Sequence, residues 1–128
     1  MKKNWFKKAL FLIAGLFLLS SCTLRAQRLK PGTYEGSGQG YDPETLIRLS
    51  VTIDETGSVY DLKILQHKET PEIGGKALDQ LRQEAIEKNG DKVDTVSGAT
   101  RTSEGFRQAV KNALDASRQA EKESGENR

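Results

Sequence analysis

Residues Leu46–Asp54 constrain the fold more than any other stretch of this 128-residue chain. Ile47, Leu49, Val51 and Ile53 alternate with Arg48, Ser50, Thr52 and Asp54. Side chains on an extended backbone point to opposite faces in turn, so this pattern predicts a strand with one buried face. Glu55-Thr56-Gly57 follows, a turn sequence with glycine available for positive φ. Ser58–Gln66 reads as the returning strand, with Tyr60, Leu62 and Ile64 on one face and Val59, Asp61 and Lys63 on the other. An antiparallel hairpin is therefore the nucleus of the expected fold.

Two helices are predicted beyond it. Pro71-Glu72-Ile73-Gly74-Gly75 breaks the strand pattern, and Lys76–Lys88 then places Ala77, Leu78, Leu81, Ala85 and Ile86 on one side of a helix. Asn89-Gly90 supplies the left-handed stop. The last helix is predicted from Ser103 to Ala120, where Phe106, Val110, Ala113, Leu114 and Ser117 form one stripe. Upstream, Thr33–Gly40 reads as an edge strand running into a loose glycine-rich turn. Glu121–Arg128 is charged and free of apolar residues, and is read as a frayed tail. The fold class is α+β: a small antiparallel sheet packed by two helices.

The N-terminus reads as an export signal over residues 1–21. Lys2, Lys3, Lys7 and Lys8 precede the apolar run Ala9–Leu19, which is short for a membrane span. Leu19-Ser20-Ser21-Cys22 resembles a lipobox, with Cys22 as the lipidated first residue of the mature chain. Residues 22–31 are a tether, 32–120 the domain and 121–128 the tail. Cys22 is the chain's single cysteine, so its acylation leaves no thiol for a disulfide or a metal. The chain has 20 basic and 18 acidic residues; residues 1–21 hold four lysines and no acid, leaving 16 against 18. That balance argues against a nucleic-acid partner. Trp5, Phe6, Phe11 and Phe17 also belong to the signal, so the mature chain keeps Phe106, Tyr34, Tyr41 and Tyr60 as its aromatic residues. A flat ligand would lie against aliphatic side chains or remain partly open.

The chemistry concentrates in Asp94-Thr95-Val96-Ser97-Gly98-Ala99-Thr100. Gly98 and Ala99 leave the Thr100 hydroxyl accessible. Free N–H groups at the start of the following helix favour an anion. Thr102 and Ser103 supply hydroxyls that donate to it or cap the helix, and Arg101 supplies charge. By spacing alone the segment is equally a well-capped loop, and nothing in it selects one phosphate compound over another. His67, the single histidine, reads as a hydrogen-bonded strand end.

Four segments resemble the FMN-binding domain family in order: Tyr34–Tyr41, the hairpin with Asp54 and Gly57, His67–Gly74 and Asp94–Ser103. The resemblance implies FMN as cofactor, joined through its phosphate to Thr100 at the start of the C-terminal helix. It implies that Asp94, Ser97, Gly98 and Ala99 are recognised by a flavin transferase, which takes FMN from FAD with magnesium. Thr102 and Ser103 would help hold the phosphate, and Glu69, Thr70 and Gly74 would line the site from the other side. Glu72 stands where the family more often has glycine. The chain shows no nicotinamide fingerprint and no second domain. The function expected is an extracytoplasmic, lipid-anchored electron carrier or redox subunit, exchanging electrons with membrane-bound redox proteins. A non-covalent FMN binder and a plain interaction module are the alternatives.

Overall fold

The structure is a computed structural model that describes residues 28–127. The expected signal, Cys22 and the first part of the tether lie outside the described residues, as does Arg128. Three strands, β1 (Gly32–Gly38), β2 (Ile47–Ile53) and β3 (Val59–Gln66), are followed by a π-helical turn (Pro71–Gly75) and two helices, α1 (Lys76–Glu87) and α2 (Thr100–Glu126). The sheet is antiparallel throughout, in the order β1-β2-β3. This is the α+β architecture expected. Among the described residues no helix is long and apolar enough to cross a membrane.

One core lies between the sheet and the two helices. Ile47, Leu49, Val51 and Ile53 of β2 meet Leu78, Leu81 and Ala85 of α1 and Phe106, Val110, Ala113 and Leu114 of α2. Burying each large side chain contributes roughly 1.5–3 kcal/mol. The other face of the sheet is polar, carrying the Glu35–Arg48 ion pair (3.0 Å) and the Thr33–Thr52 hydroxyl contact (3.2 Å).

Strand β3 departs from simple alternation. Ile53 pairs with Val59 and Thr52 with Asp61, which leaves Tyr60 as an extra residue. A second irregularity lies between the pairs Leu49–Ile64 and Arg48–Gln66, at Leu65. Such bulges shift the facing of the residues around them. Val59 and Leu62 therefore both enter the core, whereas Tyr60 is 72% exposed. The expectation that Tyr60 and Leu62 share a face fails for this reason.

Strand β1 also differs from expectation. Its glycines belong to the strand, not to a loose turn. A Cβ at Gly36 would overlap the carbonyl oxygen of Ala109, and one at Gly38 that of Gly105. Strand and helix α2 thus approach backbone to backbone.

Helix α1 ends as the sequence predicts. Asn89 has φ +60°, the Gly90 N–H reaches Ala85 O (3.0 Å) and the Asn89 N–H reaches Ile86 O (3.3 Å). The Asn89 side chain also accepts the Val59 N–H, and Arg82 donates to Leu62 O, so α1 is fastened to β3.

Helix α2 is longer than predicted at both ends. It starts at Thr100 because Val96–Ala99 forms a turn, closed by Ala99 N–H to Val96 O (3.0 Å), after which the Ser103 N–H reaches Ala99 O (2.9 Å). It continues to Glu126 because Glu121, Lys122 and Glu123 are good helix formers and extending an existing helix is easy, even through Ser124 and Gly125. Gln119 to Glu123 (3.2 Å) and Ser124 to Glu121 O (3.0 Å) secure the added turns. Leu29 and Lys30, expected in the tether, belong to the domain: Leu29 packs on the core and Ser117 Oγ donates to Lys30 O (3.0 Å).

These connections give the molecule two ends. One gathers the β1–β2 loop, the π-helical turn and the start of α2. The other gathers Arg28, the Asp54–Ser58 hairpin and the Arg118–Glu121 stretch of α2. Thr100 and Ser117 are about 25 Å apart along α2 at 1.5 Å per residue.

Candidate functional site

A cleft of about 390 Å³ opens at the first of these ends, lined by Tyr41, Glu69, Thr70, Ile73, Gly74, Gly98, Ala99, Arg101 and Thr102. Its volume falls in the roughly 300–1,000 Å³ span of small-molecule sites. Three separate stretches of chain build it, and one carboxylate joins them. Glu69 is 5% exposed. Its Oε1 and Oε2 accept the Tyr41 N–H (3.2 and 3.3 Å), and Oε2 also accepts the Thr102 hydroxyl. Glycines make room for it: a Cβ at Gly40 would overlap Glu69 Oε1, and one at Gly74 would lie 2.7 Å from Glu69 Cβ.

The opposite wall comes from the Val96–Ala99 turn. Gly98 has φ +81°, the value the third residue of a type II turn requires and glycine supplies without strain. Its missing side chain faces open space. Ala99, the helix N-cap, offers no side-chain oxygen, so no side chain caps the first N–H groups of α2. Uncapped N–H groups at a helix start attract anions.

The sequence-derived residues divide clearly. Glu69, Thr70, Gly74, Gly98, Ala99 and Thr102 come together around the cleft. Thr100 is exposed and is not itself one of the lining residues, though its sequence neighbours Ala99 and Arg101 are. Ser97 is exposed at the turn. Thr102 is 3% exposed and held by Glu69. Ser103 is fully buried; its hydroxyl donates to Ala99 O (2.8 Å) and accepts the Val96 N–H (3.0 Å). Asp94 stands apart from the cleft, paired with Lys88 (3.4 Å), while its N–H reaches Glu84 Oε1 (3.0 Å). The Lys88 hydrogen bond, followed by the Asp94 N–H, holds the Glu84 carboxyl below its ordinary value. Glu84, followed by Asp94, pushes Lys88 up. His67 accepts the Glu69 N–H at Nδ1 (3.2 Å). Glu72, the departure from the family pattern, turns to Lys76 (3.1 Å).

Residues 44–115 match the FMN-binding domain family. The chain belongs to that family. Its cofactor is accordingly FMN. Among solved structures, the chain is similar to the CPE2226 protein from Clostridium perfringens, a structural-genomics target. The two share 20% identity over 72% of this chain and 91% of that one, with a TM-score of 0.58. That likeness extends to the fold.

The cleft suits FMN in chemistry as well as size. Tyr41 and Ile73, 64% and 56% exposed, offer aromatic and aliphatic surface to a flat ring. The uncapped start of α2 and Arg101 offer donors and charge to a phosphate. Sequence reasoning missed Tyr41 and Ile73 as lining residues. The available signal was an apolar side chain placed among Gly, Pro and Asp, where no core needs it.

Proposed function

We propose that this member of the FMN-binding domain family is an electron-carrying lipoprotein whose FMN is joined by a phosphoester to Thr100. FMN accepts two electrons or passes them singly, and so links hydride chemistry to one-electron chains. The protein's part is to hold the ring in the cleft, keep the phosphate at the start of α2 and leave one side of the ring accessible. A covalent link prevents loss of the cofactor outside the cytoplasm, where it is not easily recovered. The flavin transferase is the maturation partner, and membrane-bound redox proteins are the electron partners.

The observation that carries this reading is the contrast among three hydroxyls. Thr100 is exposed and accessible to a modifying enzyme. Thr102 and Ser103 are buried and already engaged.

Intact-mass measurement of denatured mature protein, after co-expression with a flavin transferase, tests it. The wild type is expected to carry one FMN, and Thr100→Ala none with the fold retained. FMN retained by Thr100→Ala at Thr102 overturns the assignment of the acceptor. Flavin that washes out on denaturation points to the non-covalent alternative, and no flavin at all to an interaction module.

A further inference from the structure

We propose that Arg107 is a positioning residue for the modification of Thr100, holding the preceding loop in the form a flavin transferase receives. This rests on the covalent reading above.

The loop between the helices is restrained from both sides. Glu84 of α1 accepts the Asp94 N–H (3.0 Å). Arg107 of α2 donates from one nitrogen, Nη1, to both Val93 O (3.2 Å) and Thr95 Oγ1 (3.1 Å). Ser103, one helical turn before Arg107 and on the same face, accepts the Val96 N–H (3.0 Å). The Val93 side chain is buried. Each residue from Val93 to Val96 is therefore fixed by a hydrogen bond, and the exposed pair Ser97 and Gly98 follows. The turn that follows is closed by Ala99 N–H to Val96 O (3.0 Å), and the exposed Thr100 begins α2.

The transfer itself is a displacement at phosphorus. Thr100 Oγ forms the new P–O bond to the FMN-side phosphorus of FAD. The pyrophosphate P–O bond breaks, AMP leaves with the bridging oxygen, and the threonine proton passes to the transferase or to water. Nothing is oxidised or reduced. Ordering a wandering loop costs free energy when the transferase binds it, so such a loop is a weaker substrate with a higher KM. The planar guanidinium suits the task better than a lysine ammonium, because its fork of donors has a fixed direction.

Full-length mature lipoprotein, made in a host without flavin transferase and held in detergent, provides the test substrate. Purified transferase, FAD and magnesium are added, and kcat and KM for the protein substrate are read from intact mass. Arg107→Gln is expected to raise KM about tenfold with little change in kcat. Hydrogen exchange should accelerate in residues 93–98 and stay unchanged in β2. Thr95→Val, which removes one acceptor and leaves the helix intact, should shift KM in the same direction by less, and Arg107→Lys should recover part of the loss. Wild-type KM and kcat in Arg107→Gln overturn the inference. So does a loss of protection spread over the whole domain with Thr95→Val unaffected. Absence of label on the wild type is a different failure, since it removes the covalent reading together with the inference.

Discussion

Glu69 shows how much one side chain organises here. It is a buried carboxylate that takes part in none of the ion pairs among the described residues, held by the Tyr41 N–H and the Thr102 hydroxyl. Removing a donor from a buried charge costs more than an average hydrogen bond. Thr102→Val keeps the shape and deletes the hydroxyl, and is expected to destabilise the domain by about 1–3 kcal/mol. Urea unfolding at neutral pH measures this, and an unchanged midpoint would show that Tyr41 alone satisfies the carboxylate. The sequence marks Glu69 through its family resemblance, but Lys68-Glu69-Thr70 has no local sign of burial. What buries it are Gly40 and Gly74, two distant glycines whose common purpose appears once the chain is folded. Arg107 and Glu84 escape a sequence reading for a related reason: charged residues on a helix normally face water, and the loop they hold is not adjacent to them in sequence.

The elements were legible where one local rule decides them. The β2–β3 hairpin, the apolar sides of both helices and the Asn89 stop follow from alternation, helical spacing and left-handed geometry. The bulges at Tyr60 and Leu65 were not legible, because an extra strand residue looks like any other strand residue. The β1 glycines misled, since glycine normally weakens a strand; here it permits the contact with α2. Gly38→Ala is expected to cost at least about 1–3 kcal/mol, because the obstacle is helix backbone, which cannot swing aside. Thermal unfolding checks this, and a wild-type midpoint would mean that β1 and α2 part easily. The hairpin carries a pH dependence. Asp54 Oδ1 accepts the Thr56 hydroxyl (2.6 Å), the Ser58 N–H (3.0 Å) and the Thr56 N–H (2.9 Å). The Thr56 hydroxyl and then the Ser58 N–H hold its carboxyl below its ordinary value of 3.8. A depressed carboxylate contributes its full stabilisation above the unfolded value and loses it as pH falls through the folded one. The turn should be intact at neutral pH and loosen below pH 3.8. An NMR titration should find the Thr56 and Ser58 amides moving together with a midpoint under that value; a midpoint above it would count against the account.

For the whole molecule, the arrangement of the two ends matters most. Leu29 and Lys30 join the body beside Ser117, and the cleft lies at the far end of the sheet. With Cys22 lipidated as proposed, seven residues separate the lipid from Leu29. Such a segment reaches about 25 Å when fully extended and about 15 Å as a coil. Cys22→Ala should move the protein from the membrane fraction to the soluble one without changing its FMN content. Continued sedimentation with membranes would point to an uncleaved N-terminal segment as the anchor.

Both termini of the described domain leave from the end opposite the cleft. Copies can therefore be strung in tandem, or another module fused at either terminus, without roofing over the cofactor. A domain wired in this way is suited to use as an interchangeable part in larger flavoproteins.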